Sequence, residues 1–320
     1  LSYDLAMNLS QTILGVSFKN PTVLAAGMMG ITASGWKLVG SKGAGAVTTK
    51  SMWAKEHVGN PNPVVISTPD WTLNAVGLPY AGKEVAVEEV GAYMAEHPVP
   101  LIANVVGLTP EDFAEITAAV APLRPDLFEV NISSPTFLKL RGSFFEGADD
   151  IGAVLKAVKK VAAGIPVFIK LSPNVANIGE VAKACVAAGA DGITAINTVG
   201  PAMAIDLRSR MPILAAHRGG VSGRGIKPIA VRCVADIYTA TEGKTPIIGV
   251  GGISTGEDAL EMMLAGASLV GIGTAIAERD LEVFRLISEE MHAWCGKEGI
   301  ADISEMTGGM HREIAAHVSI

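Results

Sequence analysis

Residues 167–198, VFIKLSPNVANIGEVAKACVAAGADGITAINT, decide the fold. An apolar run, VFIKLS (167–172), precedes a stretch of helical periodicity at 177–188, and a second apolar run, GITAINT (192–198), follows. AGA at 188–190 ends the helix and opens the next strand, where a C-cap glycine is expected. Continuous apolar strands separated by a helix predict a parallel pair with both faces covered.

The same unit recurs in both directions. Runs of strand character lie at 23–27 (VLAAG), 44–50 (AGAVTTK), 101–106 (LIANVV), 127–133 (LFEVNIS), 247–252 (IIGVGG) and 269–274 (LVGIGT). Further helices are expected at 33–42, 111–120, 149–163, 227–240 and 256–265, and AGA recurs at 44–46 and 265–267. Eight strands in this alternation predict an α/β fold, a (β/α)8 TIM barrel, read as one domain over 1–320. Two stretches exceed a minimal barrel. Residues 51–82, proline-rich and without a long helix, and residues 199–226, with little regular pattern, are expected as insertions at the C-terminal face. RDLEVFRLISEEMHAWC (279–295) reads as an ordinary amphipathic outer helix.

Hydrophobic residue types make up 49% of the 320 residues, enough for one large core, while aromatics are only 5% and glycines number 36. Aliphatic and small residues therefore do the packing. The net charge of −7, with no basic block, argues against nucleic acid or an anionic membrane as partner. Mean hydropathy is +0.38, yet no apolar stretch approaches the roughly 18 residues a spanning helix needs. The start, LSYDLAMNLSQTILG, has no cationic leader, and a cytoplasmic location is expected. Cys185, Cys233 and Cys295 form no CxxC pair, and the six histidines form no HExxH, so no metal or iron–sulfur site is expected.

Chemistry in such barrels sits at the carboxyl ends of the strands. Those ends carry Ala26, Lys50, Ser51, Asn104, Asn131, Ser133, Ser134, Lys170, Ser172, Asn197, Thr198, Gly251, Gly252, Gly273 and Thr274. Two lysines and three asparagines converge on one mouth with no acidic residue among the strand ends, a setting for an anionic, planar, hydrogen-bonding ligand. The glycines after the seventh and eighth strands suit a phosphate held by backbone N–H groups. GVGGIS and GIGTAI (249–254 and 271–276) each miss GxGxxG, and the context is not that of a Rossmann site, so a flavin phosphate is preferred to a dinucleotide. Each residue also has a plainer reading. Lys50 and Lys170 could reach solvent along apolar stems, Asn131 and Asn197 could form turns, and Ser133 and Ser134 could be loop or cap residues. Their shared place at one end of one barrel favours the site. His57, Trp53 and Trp71 read as loop packing rather than ligands.

The segments KNPTVLAAG (19–27), TTKS (48–51), NAVGLP (74–79), ANVVG (103–107), NISSP (131–135), IKLSPN (169–174), INTVGPAMAID (196–206), SGRGIKP (222–228), GVGGIST (249–255) and AGASLVGIGT (265–274) resemble, in order and spacing, the class 1 dihydroorotate dehydrogenases, nearest the B-type catalytic subunit. The resemblance covers about residues 8–280. It implies FMN contacts at Ala26, Lys50, Ser51, Asn104, Asn131, Lys170, Ile196, Gly223, Gly251, Gly252, Gly273 and Thr274. It implies substrate contacts at Lys50, Asn74, Val76, Gly77, Leu78, Asn131, Asn197 and Thr198, and places the family's catalytic base at Ser134. The B-type family usually has cysteine there; serine is like the membrane-associated class 2 enzymes and some archaeal members. No amphipathic amino-terminal extension of the class 2 kind is expected. Thr136 stands where an asparagine normally contacts orotate.

The activity implied is oxidation of (S)-dihydroorotate to orotate in pyrimidine (UMP) biosynthesis. The partner implied is an FAD and iron–sulfur subunit passing electrons to NAD, within a homodimer or heterotetramer. Three other readings remain: an FMN enzyme acting on another dihydropyrimidine, a flavin-free barrel lyase or isomerase, and a non-catalytic flavin-binding subunit. The segment 132–148 is expected to cover the site.

Overall fold

A computed structural model describes residues 7–134 and 147–318. Thr136 and most of the expected 132–148 cover lie outside the described residues, as does the start of the chain.

Eight parallel strands close into a barrel: Thr22–Leu24, Ala46–Thr48, Leu101–Val105, Leu127–Asn131, Val167–Leu171, Gly192–Ala195, Ile247–Val250 and Leu269–Ile272. They are the first to eighth barrel strands below. Each is hydrogen-bonded to the next in chain order, and the eighth returns to the first. Every predicted strand is present. The ladders stop two or three residues before six of the eight expected ends, leaving Lys50, Ser133, Asn197 and Thr274 beyond the sheet.

Alternation along each strand turns every second side chain toward the barrel axis. The lowest inward layer is apolar: Val23, Ala46, Ile102, Leu127, Phe168, Ile248 and Leu269 pack together with Ile13 and Phe18 of the hairpin Gln11–Ile13/Val16–Phe18. The sixth strand contributes Gly192 to this layer. A methyl there would lie 2.3 Å from the Phe168 ring, so the missing side chain is what lets that ring fill the centre. Two residues higher on the same faces the layer turns polar, with Asn104, Glu129, Lys170 and Thr194.

The outer helices form where capping and periodicity agree. Pro110–Val120 has Thr109 as N-cap, Asp112 closing a capping box and Pro110 in the first turn. In Ala148–Val161, Ile151, Val154, Leu155 and Val158 make one buried stripe. Gly189 and Gly266 follow helix ends with positive φ, as the AGA pattern predicts; at 42–46 the positive φ belongs to Gly43 instead. Gly45 is needed for a different reason, since a methyl there would meet the Asn20 carbonyl at 2.0 Å.

Lys83–Met94 is a helix the sequence did not announce. Its buried side chains are only Ala86, Val90 and Tyr93, and its N-cap Gly82 makes no side-chain cap bond, so both usual signals are weak. The outer helix expected at 279–295 runs Val283–Glu298, and Gly309–Val318 follows as a further unexpected helix. The two insertions are more regular than expected. Val65–Ser67 and Thr72–Asn74 from the first, with Gly219–Ser222 and Val199–Ala202 from the second, form one four-stranded antiparallel sheet. Strands of three or four residues are too short for alternation to show.

Candidate active site

A cavity of about 570 Å³ opens at the carboxyl ends of the barrel strands. One wall is backbone. Gly223, Gly251 and Gly252 line it with positive φ, beside Gly273 and Thr274. A methyl on Gly252 would lie 2.5 Å from Cβ and 2.8 Å from the backbone nitrogen of Lys227, the first residue of helix Lys227–Ala240. Glycine thus lets that helix start come against the end of the seventh strand. The helix has no side-chain N-cap, and its N-cap residue, Ile226, lines the cavity. A helix start without a side-chain cap, beside glycine backbone that lines the cavity, is a cup for an anion such as phosphate. The Lys227 amine points elsewhere, to Asp258 and Glu261 at 2.7 Å each. Thr274 donates to the Ser222 hydroxyl at 2.8 Å, linking two of the cavity walls.

The opposite wall is built of side-chain amides and hydroxyls. Asn131 donates from Nδ2 to Ser51 Oγ at 3.1 Å and accepts at Oδ1 from the backbone N–H and the hydroxyl of Ser133, at 3.1 and 2.9 Å. Asn197 donates to the same Ser133 hydroxyl at 2.9 Å, and its carbonyl oxygen accepts from the Thr198 N–H at 2.8 Å. Ser134 follows directly, buried and lining the cavity. Asn74 donates to the Gly220 carbonyl at 3.3 Å across the four-stranded sheet, and Val76, Gly77 and Leu78 continue that side.

Two lysines enter from the barrel. Lys50 reaches over Gly27, where a methyl would stand 3.4 Å from its Nζ. Among the described residues no carboxylate pairs with it, and burial holds its pKa below the ordinary lysine value. Lys170 lies lower and faces Glu129, Nζ to Oε1 3.7 Å, with the two side chains only 7% and 3% exposed. Asn104 donates from Nδ2 to the same Glu129 oxygen.

Ala26, Ser51, Ile196 and the other described residues expected at the site line this one cavity, except Asn104, Ser133 and Ser172. Asn104 is wholly buried beside Glu129, and among the described residues its Oδ1 has no partner. Among the described residues no carboxylate lines the cavity, but Lys170 is paired outside the lining with Glu129. It lies within the fourth strand, two residues before Asn131, so reading only strand ends passes over it; its signal was a charge in the apolar run LFEVN. Arg218 was also passed over. It lines the cavity from the second insertion with an exposed side chain.

His57 and Trp53 stack on each other, ring centroids 5.0 Å apart, outside the cavity lining. Among the described residues no cluster of His, Cys, Asp or Glu could hold a metal ion, and the three cysteines are buried and not bridged. No helix among the described residues is long and apolar enough to cross a membrane.

The geometry is that of a (β/α)8-barrel enzyme with its site at the strand carboxyl ends. The dihydroorotate dehydrogenase family model matches residues 8–294. The chain is 41% identical over 307 residues, 96% of each chain, to a dihydroorotate dehydrogenase B (NAD(+)) catalytic subunit of Methanosarcina mazei. It is 42% identical over 306 residues, 95% of this chain and 98% of the other, to the protein of that name in Methanocaldococcus jannaschii. The crystal structure of ligand-free DHODH from Eimeria tenella superposes with a TM-score of 0.85 at 25% identity, covering 98% of this chain and 95% of that one. The chain belongs to the dihydroorotate dehydrogenase family of oxidoreductases.

Proposed function

We propose that this chain oxidises (S)-dihydroorotate to orotate with FMN as hydride acceptor, in pyrimidine (UMP) biosynthesis. The observation that carries the reading is the single cavity where a glycine cup, two lysines and a chain of amides meet. The cup fits a phosphate and the polar wall fits a flat anion.

Gly223, Gly251, Gly252, Gly273 and Thr274 would hold the FMN phosphate. Ala26, Lys50, Ser51, Asn131, Lys170 and Ile196 would line its ring system. FMN, when bound, supplies the acceptor for the hydride leaving C6 of the substrate. Lys50 would hold the substrate carboxylate, and Asn74, Asn131, Asn197 and Thr198 its amide edges, against Val76, Gly77 and Leu78. Ser134 takes the proton from C5, completing the loss of two hydrogens that leaves the C5–C6 double bond. An unassisted hydroxyl is a weak base at pH 7, so the proton must pass onward from Ser134; a positioned general base contributes about 10²–10⁴-fold. Asn104 acts from behind this surface, through Glu129.

The names of the relatives, catalytic subunits of an NAD(+)-linked enzyme, support a partner. We assign that partner FAD and an iron–sulfur cluster passing electrons to NAD. The chain itself is read as one FMN-binding unit over 1–320.

The test is anaerobic titration of the flavin-loaded protein with dihydroorotate. The expected result is stoichiometric bleaching of the visible flavin bands. Loaded protein that keeps its colour through excess dihydroorotate overturns the proposal.

A further inference from the structure

The Glu129–Lys170 pair is costly to bury. Two charges removed from water recover their desolvation only with good geometry and further hydrogen bonds, and an apolar pair of the same volume is often as stable. Stability alone therefore does not explain it. Its placement does. Lys170 lines the cavity and Glu129 does not, so the carboxylate reaches a bound ligand only through the lysine.

The carboxylate is itself fixed. Thr49 Oγ1 accepts from the Asn104 backbone N–H at 2.9 Å, Asn104 Nδ2 donates to Glu129, and Glu129 faces Lys170. These four residues belong to the second, third, fourth and fifth barrel strands or the residue just beyond, and Asn104 and Glu129 stand directly opposite in the ladder. The other strands present to Lys170 groups that carry no charge: Thr194 from the sixth, Val250 from the seventh, Gly271 from the eighth, Ala25 after the first. Among the described residues, Lys50 and Arg218 are the other charged groups of the cavity lining, and both are cations. Glu129 is the anion that balances this interior.

We infer that Glu129 is a positioning residue for the reaction, holding the Lys170 ammonium at one point of the cavity floor and so setting the redox potential of the bound flavin. The inference rests on the flavin reading above. It assigns Glu129 no contact with cofactor or substrate.

The experiment is a double-mutant cycle on flavin-loaded protein: wild type, Glu129→Gln, Lys170→Gln and the pair, which leaves no lone buried charge. The midpoint potential is measured with a chemical reductant and indicator dyes, so no substrate enters the readout, and the rate of flavin reduction by dihydroorotate is measured separately. Glu129→Gln is expected to shift the potential and slow reduction roughly 10-fold or more, with the dihydroorotate Kd unchanged; in the Lys170→Gln background the same substitution changes neither. No shift from Glu129→Gln, or equal shifts in both backgrounds, overturns the inference. If Glu129→Gln does not fold, Glu129→Asp, which withdraws the charge by one methylene, carries the same comparison. Wild-type protein that dihydroorotate fails to bleach ends the functional reading; wild type that bleaches beside unshifted variants ends only this inference.

Discussion

Asn197 donates from its side-chain amide to the Ser133 hydroxyl, 2.9 Å away, and so ties the end of the sixth barrel strand to the residue before Ser134. Ser133 passes the constraint to Asn131, which passes it to Ser51. Ser134 is thus held by bonds reaching three strands. Ser133→Ala cuts the network at its hub without removing any group assigned to the chemistry. Up to about 10²-fold is expected to be lost from the rate of flavin reduction, since small displacements of a reacting group are that costly. Rapid mixing with dihydroorotate measures it, and a variant as fast as wild type would show that the network does not position Ser134.

Ser134→Ala is expected to keep its flavin and to be reduced about 10²–10⁴-fold more slowly, the usual worth of a general base. Ser134→Cys should work better toward neutral pH, because a thiol ionises more readily than a hydroxyl. The pH–rate profile of the cysteine variant checks this; a profile superposable on wild type counts against Ser134 as the base.

Lys50 carries a pH dependence of definite sign. Burial lowers its pKa below that of an ordinary lysine, so its charge is lost at lower pH than usual as the solution becomes alkaline. An anion bound beside it favours the protonated form, and by linkage anion affinity falls as pH rises through the free-protein value. KM for dihydroorotate should therefore climb on the alkaline side. Lys50→Gln should raise KM at neutral pH and abolish the climb. An alkaline rise that survives in Lys50→Gln would assign it to another group.

Gly252→Ala places a methyl against the first residue of helix Lys227–Ala240, at a φ of +76° that side chains rarely adopt. The strain expected is about 1–3 kcal/mol, and relieving it pushes the helix start away from the cup. FMN affinity, followed by quenching of flavin fluorescence, should fall more than thermal stability does. A variant that binds FMN as tightly as wild type would remove the phosphate cup from this place.

The barrel was legible because each strand is an apolar run closed off by a helix, and the run itself survives uncertainty about its ends. Lys50, Asn197, Gly251 and Thr274 lie past the ladders, and their polar or glycine character marked them as a site while blurring where the strands stop. Glu129 sits inside a strand, Leu127–Asn131, where residues are normally apolar, and not at the strand end where barrel chemistry is expected. Helix Lys83–Met94 was hidden by composition: three buried side chains along twelve residues leave too narrow a stripe. Arg218 and the strands of the four-stranded sheet depend on pairings between distant segments, which local periodicity does not encode.

That sheet also orders events in time. Thr72–Asn74 and Gly219–Ser222 pair residue by residue, Asn74 with Gly220 and Ser222 with Thr72, although about 150 positions separate them along the chain. Contacts of such separation repay their loop-closure entropy only once the intervening strands are assembled. Ribosome-bound fragments that stop short of the second insertion lack the partner strand altogether. The roof of the cavity is therefore completed only after the first six barrel strands have been made, and a chain cut short before the second insertion has no finished pocket.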